Sequence, residues 1–359
     1  MSAITVYCCG SGNTREDSKW LVPTLWARDV RINNKLILDG PGTTHKLGKT
    51  SLEKAKNGHQ IKLRERSGAG KKQYEITGAP AKGNTSYAAT WIGSHLNKEQ
   101  CLISQVNLIG FSRGGATTIQ IAHMLSWFLK NKDIDLNIFT FDPVPGGSNF
   151  DKSGFGKKSA GGFHLLSTCV SNYQTIPMLN IKKYLVKVLV KKDKSFPCTI
   201  PMALSKKTNY KIIPLPGHHG DACRATPGPG LQANTSTIGH FLAQKFLEEH
   251  GVQFSKKGPT EKDALEAYAR IRMLYMPGGE HTVSRNREFV STILKKRMMN
   301  LPVNVDERDF YVNDHHYELM KNANLCQRLT DTRVHNTVAH LPAYPRTQKA
   351  LSAWLNART

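Results

Sequence analysis

Gly110-Phe111-Ser112-Arg113-Gly114 sets a serine between two glycines, each two residues away. That is the spacing of a sharp strand-to-helix turn that holds a hydroxyl clear of the backbone. Gly110 and Gly114 let the chain turn without Cβ clashes. The chemistry such a turn serves is nucleophilic attack on an acyl carbonyl, and it needs a base for the serine and a carboxylate to orient the base. The flanks fit. Gln105 to Ile109 is an apolar, strand-like run, and Gly114 to Leu129 carries Ile119, Ala122, Leu125 and Phe128 on one helical face. The backbone N–H of Arg113 then lies at the positive end of a helix, where an oxyanion could form.

The same strand-and-loop logic supplies partners. Asp142 closes the strand-like run Leu136 to Phe141, one helix and one strand after Ser112, with Pro143 and Pro145 stopping the strand. A crossover of that length delivers the neighbouring parallel strand, so Asp142 should end beside Ser112. Pro216-Gly217-His218-His219-Gly220-Asp221 follows the strand Lys211 to Leu215 and precedes a helix over Ser236 to His250. Either His218 or His219 can serve as the base; the same loop could instead hold a metal through His218, His219 and Asp221. His240, inside the helix, is a more distant candidate. Gly10-Ser11-Gly12-Asn13 offers a second set of oxyanion donors, the N–H groups of Ser11 and Gly12.

The elements that position these residues alternate in type. Strands are expected at Ala3 to Cys8, Lys35 to Leu38, 105 to 109, 136 to 141, 183 to 190 and 211 to 215, with helices over 86 to 96, 114 to 129 and 236 to 250. The pattern predicts an α/β fold with a mainly parallel sheet covered by helices on both faces. Residues 43–85 are polar, basic and glycine-rich and read as a surface insertion, whereas 146–180 show no legible period. The division expected is a catalytic domain over 1–254 and a helical cap or appendage over 255–359.

The quoted motifs resemble those of bacterial α/β-hydrolases with a G-F-S-R-G elbow, a D-x-V acid and a P-G-x-H-x-D base loop. That group includes phospholipase effectors delivered by type VI secretion systems. The resemblance covers residues 1 to about 250 and takes in Gly10-Ser11-Gly12-Asn13 and Asp39-Gly40-Pro41-Gly42-Thr43. It implies Ser112 as nucleophile, Asp142 as acid, His219 rather than His218 as base, and Asp221 as a support of the histidine loop. It further implies an α/β-hydrolase-like sheet and hydrolysis of lipid or small esters without metal or organic cofactor. The chain departs from the group at Cys8-Cys9-Gly10, where an Asp usually precedes the Gly, and at Gly115 and Thr117.

Composition narrows the partners. Lys+Arg of 50 against Asp+Glu of 27 leaves +23, which favours an anionic partner such as an anionic membrane surface. Nucleic acid is the competing anionic partner, but no binding module is recognisable. A catalytically silent scaffold that docks membranes or nucleic acid is the rival to an enzyme. Seven cysteines without a CxxC read as reduced thiols. Ala3 to Cys8 reads as a core strand, so the expectation is synthesis in the cytoplasm without a signal peptide and, if exported, a specialised route. Gly68-Ala69-Gly70-Lys71-Lys72 lacks the first Gly and the Ser/Thr of a phosphate loop. Asp314-His315-His316 lacks partner spacing for a metal.

Overall fold

Near-continuous apolar runs are what a strand buried on both faces requires. The computed structural model gathers those runs into a six-stranded sheet, parallel throughout. The described residues are 2–43, 81–97, 102–129, 132–144, 165–275 apart from 184–197 and a few shorter breaks, and three short strands after that. The expected insertion therefore lies almost wholly outside them, as do the stretches 68–72 and 314–316 and most of the strand expected over 183–190.

In chain order the elements are β1 (Ser2–Cys8), α1 (Leu21–Arg28), β2 (Lys35–Leu38), α2 (Ala81–Leu96), β3 (Ile103–Phe111), α3 (Arg113–Leu129) and β4 (Asp135–Phe141). Then come β5 (Val170–Ile176), β6 (Asn209–Ile212), α4 (Leu231–Glu249) and α5 (Glu261–Tyr275). The spatial order is β6-β5-β4-β3-β1-β2. The chain moves outward from β1 to β2, then returns across β1 to β3 and continues to β4. Right-handed crossovers in opposite directions put helices on opposite faces. Side chains agree: Arg28 of α1 meets His240 of α4 on one face, and Thr85 of α2 bonds Gln120 of α3 on the other. The reversal puts the topological switch point at the carboxyl ends of β1 and β3, the usual ligand position in such sheets. Ile4, Val6, Val106, Leu108, Ile138 and Phe139 form the centre of the core, each fully buried.

A polar ladder crosses this apolar sheet. Asn209, Asn172, Asn137, Asn107 and Thr5 stand in register on β6, β5, β4, β3 and β1. Each asparagine Nδ2 donates to the next Oδ1, at 3.2, 2.8 and 2.9 Å, and Asn107 Nδ2 donates to the His250 carbonyl at 2.8 Å. Arg31 closes the row by donating to Thr5 Oγ1 and pairing with the buried Asp29, which also accepts from Tyr7. Buried amides are costly unless paired, and only one register pairs them all. A slip by one residue would also turn each strand's buried face outward. Asn137→Leu orphans a donor on Asn172 and an acceptor on Asn107, so urea unfolding should show a loss of about 2–4 kcal/mol. The double variant Asn107→Leu/Asn137→Leu should cost less than the two singles summed, since their shared bond is removed from both sides.

Two segments carry structure that periodicity alone does not announce. After 255 the described residues comprise a helix and then short strands. α5 packs on α4 and its Ala267, Tyr268 and Ile271 join the main core. Beyond it, His281–Val283 pairs with Ile181–Lys183, and Phe289–Ser291 pairs with Cys198–Thr199 and Lys296–Met298. Residues 146–180, without legible period, contribute the interior strand β5, whose Asn172 and Gln174 interrupt the apolar run of a buried strand. Among the described residues no helix is long and apolar enough to cross a membrane, and Cys8, Cys9, Cys169 and Cys223 stand outside any disulfide.

Candidate active site

The last residues of β3 and β4, Phe111 and Phe141, are register partners. Ser112 and Asp142 therefore emerge side by side at one rim. Both leave their strands with positive φ, 56° for Ser112 and 42° for Asp142, the only non-glycine residues with positive φ among those described. This left-handed backbone is costly for L-residues, and residues held so concentrate at functional sites. The surroundings hold Ser112 there. Its N–H donates to the Phe141 carbonyl at 2.9 Å, and its own carbonyl accepts from Val144 N–H at 3.0 Å and Ala116 N–H at 3.2 Å. The turn is tight enough that a Cβ on Gly114 would lie 2.1 Å from the Cys8 carbonyl oxygen. Helix α3 leaves the turn at Arg113, so Ser112 sits at its positive end.

His219 completes a hydrogen-bonded series. Ser112 Oγ–H donates to His219 Nε2 at 2.9 Å, and His219 Nδ1–H donates to Asp142 Oδ2. A carboxylate can only accept, so the proton of the neutral imidazole is on Nδ1 and Nε2 is left basic toward the serine. Asp142 is buried and held by two further bonds: its N–H donates to Ile176 O, and its Oδ1 accepts from Met178 N–H at 3.1 Å. Burial pushes the Arg113 guanidinium down to about 10.

The loop that delivers His219 is tied by Asp221. Its Oδ2 accepts from His218 N–H and its Oδ1 from Gln232 Nε2, both at 2.7 Å. Gly217 and Gly220 take φ of 142° and 99°, backbone that favours glycine. His218 is exposed. Both nitrogens of His219 bond Ser112 and Asp142, and the Asp221 oxygens bond His218 N–H and Gln232 of α4; among the described residues no three His, Cys, Asp or Glu side chains cluster as a metal site would require. Met178 and Gln232 carry no sequence signal, because each acts through contacts set only by the fold.

The oxyanion expectation changes at one residue. Gly12 donates its N–H to the Pro41 carbonyl at 2.8 Å, so that amide stitches the β1 loop to the β2 loop. A bidentate Arg15–Asp39 pair, Nε to Oδ1 and Nη2 to Oδ2, joins the same two loops. Gly12 is thus a locking residue, which leaves Ser11 and Arg113 as the donors to consider.

His240 of α4 stands against Arg28 of α1 and not in the Ser112–His219–Asp142 series. Burial, reinforced by the Arg28 charge, lowers it to about 4. A histidine depressed in the folded state contributes stability above its unfolded value of about 6.5, and loses it as pH falls toward 4. Urea midpoints should therefore fall between pH 7 and 4.5, by up to roughly 2 kcal/mol in stability from this group. His240→Gln should flatten that slope; an unchanged slope would rule the group out as its source.

No family model matches the chain, and no curated protein matches it. Among solved structures it is similar to the Tle1 effector bound to the VgrG spike of the type 6 secretion system, at 16% identity and TM-score 0.29, covering 63% of this chain and 51% of that one. It is similar also to an uncharacterized protein from Pseudomonas aeruginosa, at 14% identity and TM-score 0.40, covering 99% and 61%. A third is RedJ with a PEG molecule bound in its active site, at 11% identity and TM-score 0.32, covering 66% and 90%. The chain thus spans about half the length of the first, at 51%, and about three fifths of the second, at 61%.

Proposed function

We propose that the chain is a serine hydrolase that cleaves carboxylic esters through an acyl-enzyme on Ser112. The observation that carries this reading is the hydrogen-bonded series Ser112–His219–Asp142, headed by a serine with a φ of 56° at a helix N-terminus. His219 Nε2 takes the Ser112 proton as Oγ bonds to the acyl carbon. The negative charge on the carbonyl oxygen is met by the N–H groups of Arg113 and Ser11. Asp142 stabilises the imidazolium without taking its proton. The imidazolium then protonates the departing alkoxide, and His219 draws a proton from water as the acyl-enzyme is hydrolysed.

Lipid acyl esters, phospholipids among them, are the substrate class. The support is the motif resemblance to type VI secretion phospholipase effectors together with a net charge of +23, which attracts the protein to anionic surfaces. Export as such an effector is part of the same proposal. A fluorophosphonate probe tests the chemistry: labelling of wild type that is absent in Ser112→Ala supports it, and a folded wild type that takes up no probe overturns it. Hydrolysis of anionic phospholipid vesicles compared with short-chain esters then tests the substrate class.

A further inference from the structure

We infer that Trp20 is a positioning residue for His219, acting through Phe111; the inference rests on the serine-hydrolase reading above. Three rings form a continuous stack beside the nucleophile. Trp20 and Phe111 have centroids 5.0 Å apart with planes at 23°, and Phe111 and His219 lie 5.0 Å apart at 30°. Trp20 thus stacks on Phe111, and Phe111 meets His219 at a tilt; ring contacts at these separations are attractive and directional. The middle ring belongs to the residue preceding Ser112, so it travels with the elbow, while the third ring is the proposed base.

Trp20 also holds the histidine loop by its backbone. It pairs with Arg224 in an antiparallel bridge, and Ala225 N–H donates to the Lys19 carbonyl at 2.9 Å. The Arg224 guanidinium lies 5.3 Å from the indole centroid. Gly220, next to His219, lies against the same two rings: a Cβ there would be 2.9 Å from Trp20 Cζ3 and 3.2 Å from Phe111 Cζ. One side chain thus touches the elbow and the base loop, two segments about a hundred residues apart. The Asp142 bond sets the direction of His219 Nδ1 but leaves the ring free to tilt about that bond. The Phe111 face restrains the tilt, and Trp20 keeps Phe111 in place. Nε2 is thereby kept aimed at Ser112 Oγ.

The test compares Trp20→Phe, which preserves a stacking ring, with Trp20→Leu, which removes it. Two readouts are taken on full-length protein matched for thermal midpoint. One is the proton NMR signal of the His219 Nδ1–H donated to Asp142, and the other is the rate of Ser112 acylation by the fluorophosphonate. Expected for Trp20→Leu is a broadened or absent Nδ1–H signal and acylation slowed by about 10²-fold at unchanged probe affinity. Trp20→Phe should keep both near wild type. Wild-type acylation in Trp20→Leu overturns the inference. Should Trp20→Leu fail to fold, Phe111→Leu breaks the same stack one ring further on and is read the same way. If wild type itself takes up no probe, the hydrolase reading fails, and the NMR signal alone decides: loss with Leu and retention with Phe supports the positioning, and retention in both overturns it.

Discussion

Ser112→Ala is expected to lower ester turnover by roughly 10⁶-fold, by analogy with other serine hydrolases, while the protein stays folded. The size follows from removal of the only atom that can form the acyl bond. The fold survives because every backbone bond that holds residue 112, to Phe141, Val144 and Ala116, involves main-chain atoms that alanine retains. Alanine also bears the φ of 56° at a cost close to that of serine. The lost hydroxyl leaves His219 Nε2 without its partner, but the imidazole is partly solvent-accessible, with 13% of its side chain exposed, so water can take that place. Purified variant and wild type should therefore give superimposable circular dichroism. Turnover of a chromogenic ester should collapse, and phosphonate uptake should vanish. Retention of more than about a hundredth of wild-type turnover would falsify the assignment of Ser112, since the residual catalysis of such sites without their nucleophile is far smaller.

Asp142→Asn is expected to cut turnover by about 10⁴-fold at neutral pH with little change in substrate affinity. The direction comes from a bond on the far side of the carboxylate. Met178 N–H donates to Asp142 Oδ1, and it needs an acceptor there after the substitution too. The carboxamide oxygen therefore stays on the Met178 side, and its NH2 turns toward His219 Nδ1. An NH2 group can only donate, so Nδ1 must accept and the imidazole proton moves to Nε2. The base then presents a proton to Ser112 instead of a lone pair. Pre-steady-state ester kinetics would show a slow acylation burst at nearly unchanged substrate affinity. Nitrogen chemical shifts of His219 should report the exchanged tautomer. Wild-type turnover in this variant would mean that His219 is oriented by something other than Asp142.

Much of the candidate site is legible in the chain because its signals are local. A strand-like run into Gly-x-Ser-x-Gly, a helix-period run out of it, and Asp142 at the end of the next run specify where the backbone turns. The glycines around His218 and His219 likewise mark a loop that must adopt positive φ, as Gly217 and Gly220 do. The choice between the two histidines is different in kind. Adjacent residues in one loop share every local property, and only the position of Asp142 on the neighbouring strand distinguishes them. Gly12 shows the reverse error: a glycine turn looks like a set of free amides until the Pro41 carbonyl, from a loop nearly thirty residues away, is seen to accept one.

By itself the sequence determined the alternation of strands and helices, the tight turn at Ser112 and the order of the three segments proposed as nucleophile, acid and base, since periodicity and backbone permissiveness act over a few residues. Only the tertiary structure decided the interior place of β5, the tie from Met178 to Asp142, the Trp20–Phe111–His219 stack and the short strands after α5. The physical reason is pairing at a distance. Asn172 is an unpromising strand residue alone and a satisfied one between Asn137 and Asn209, because a polar side chain's cost depends on which partners the fold brings to it.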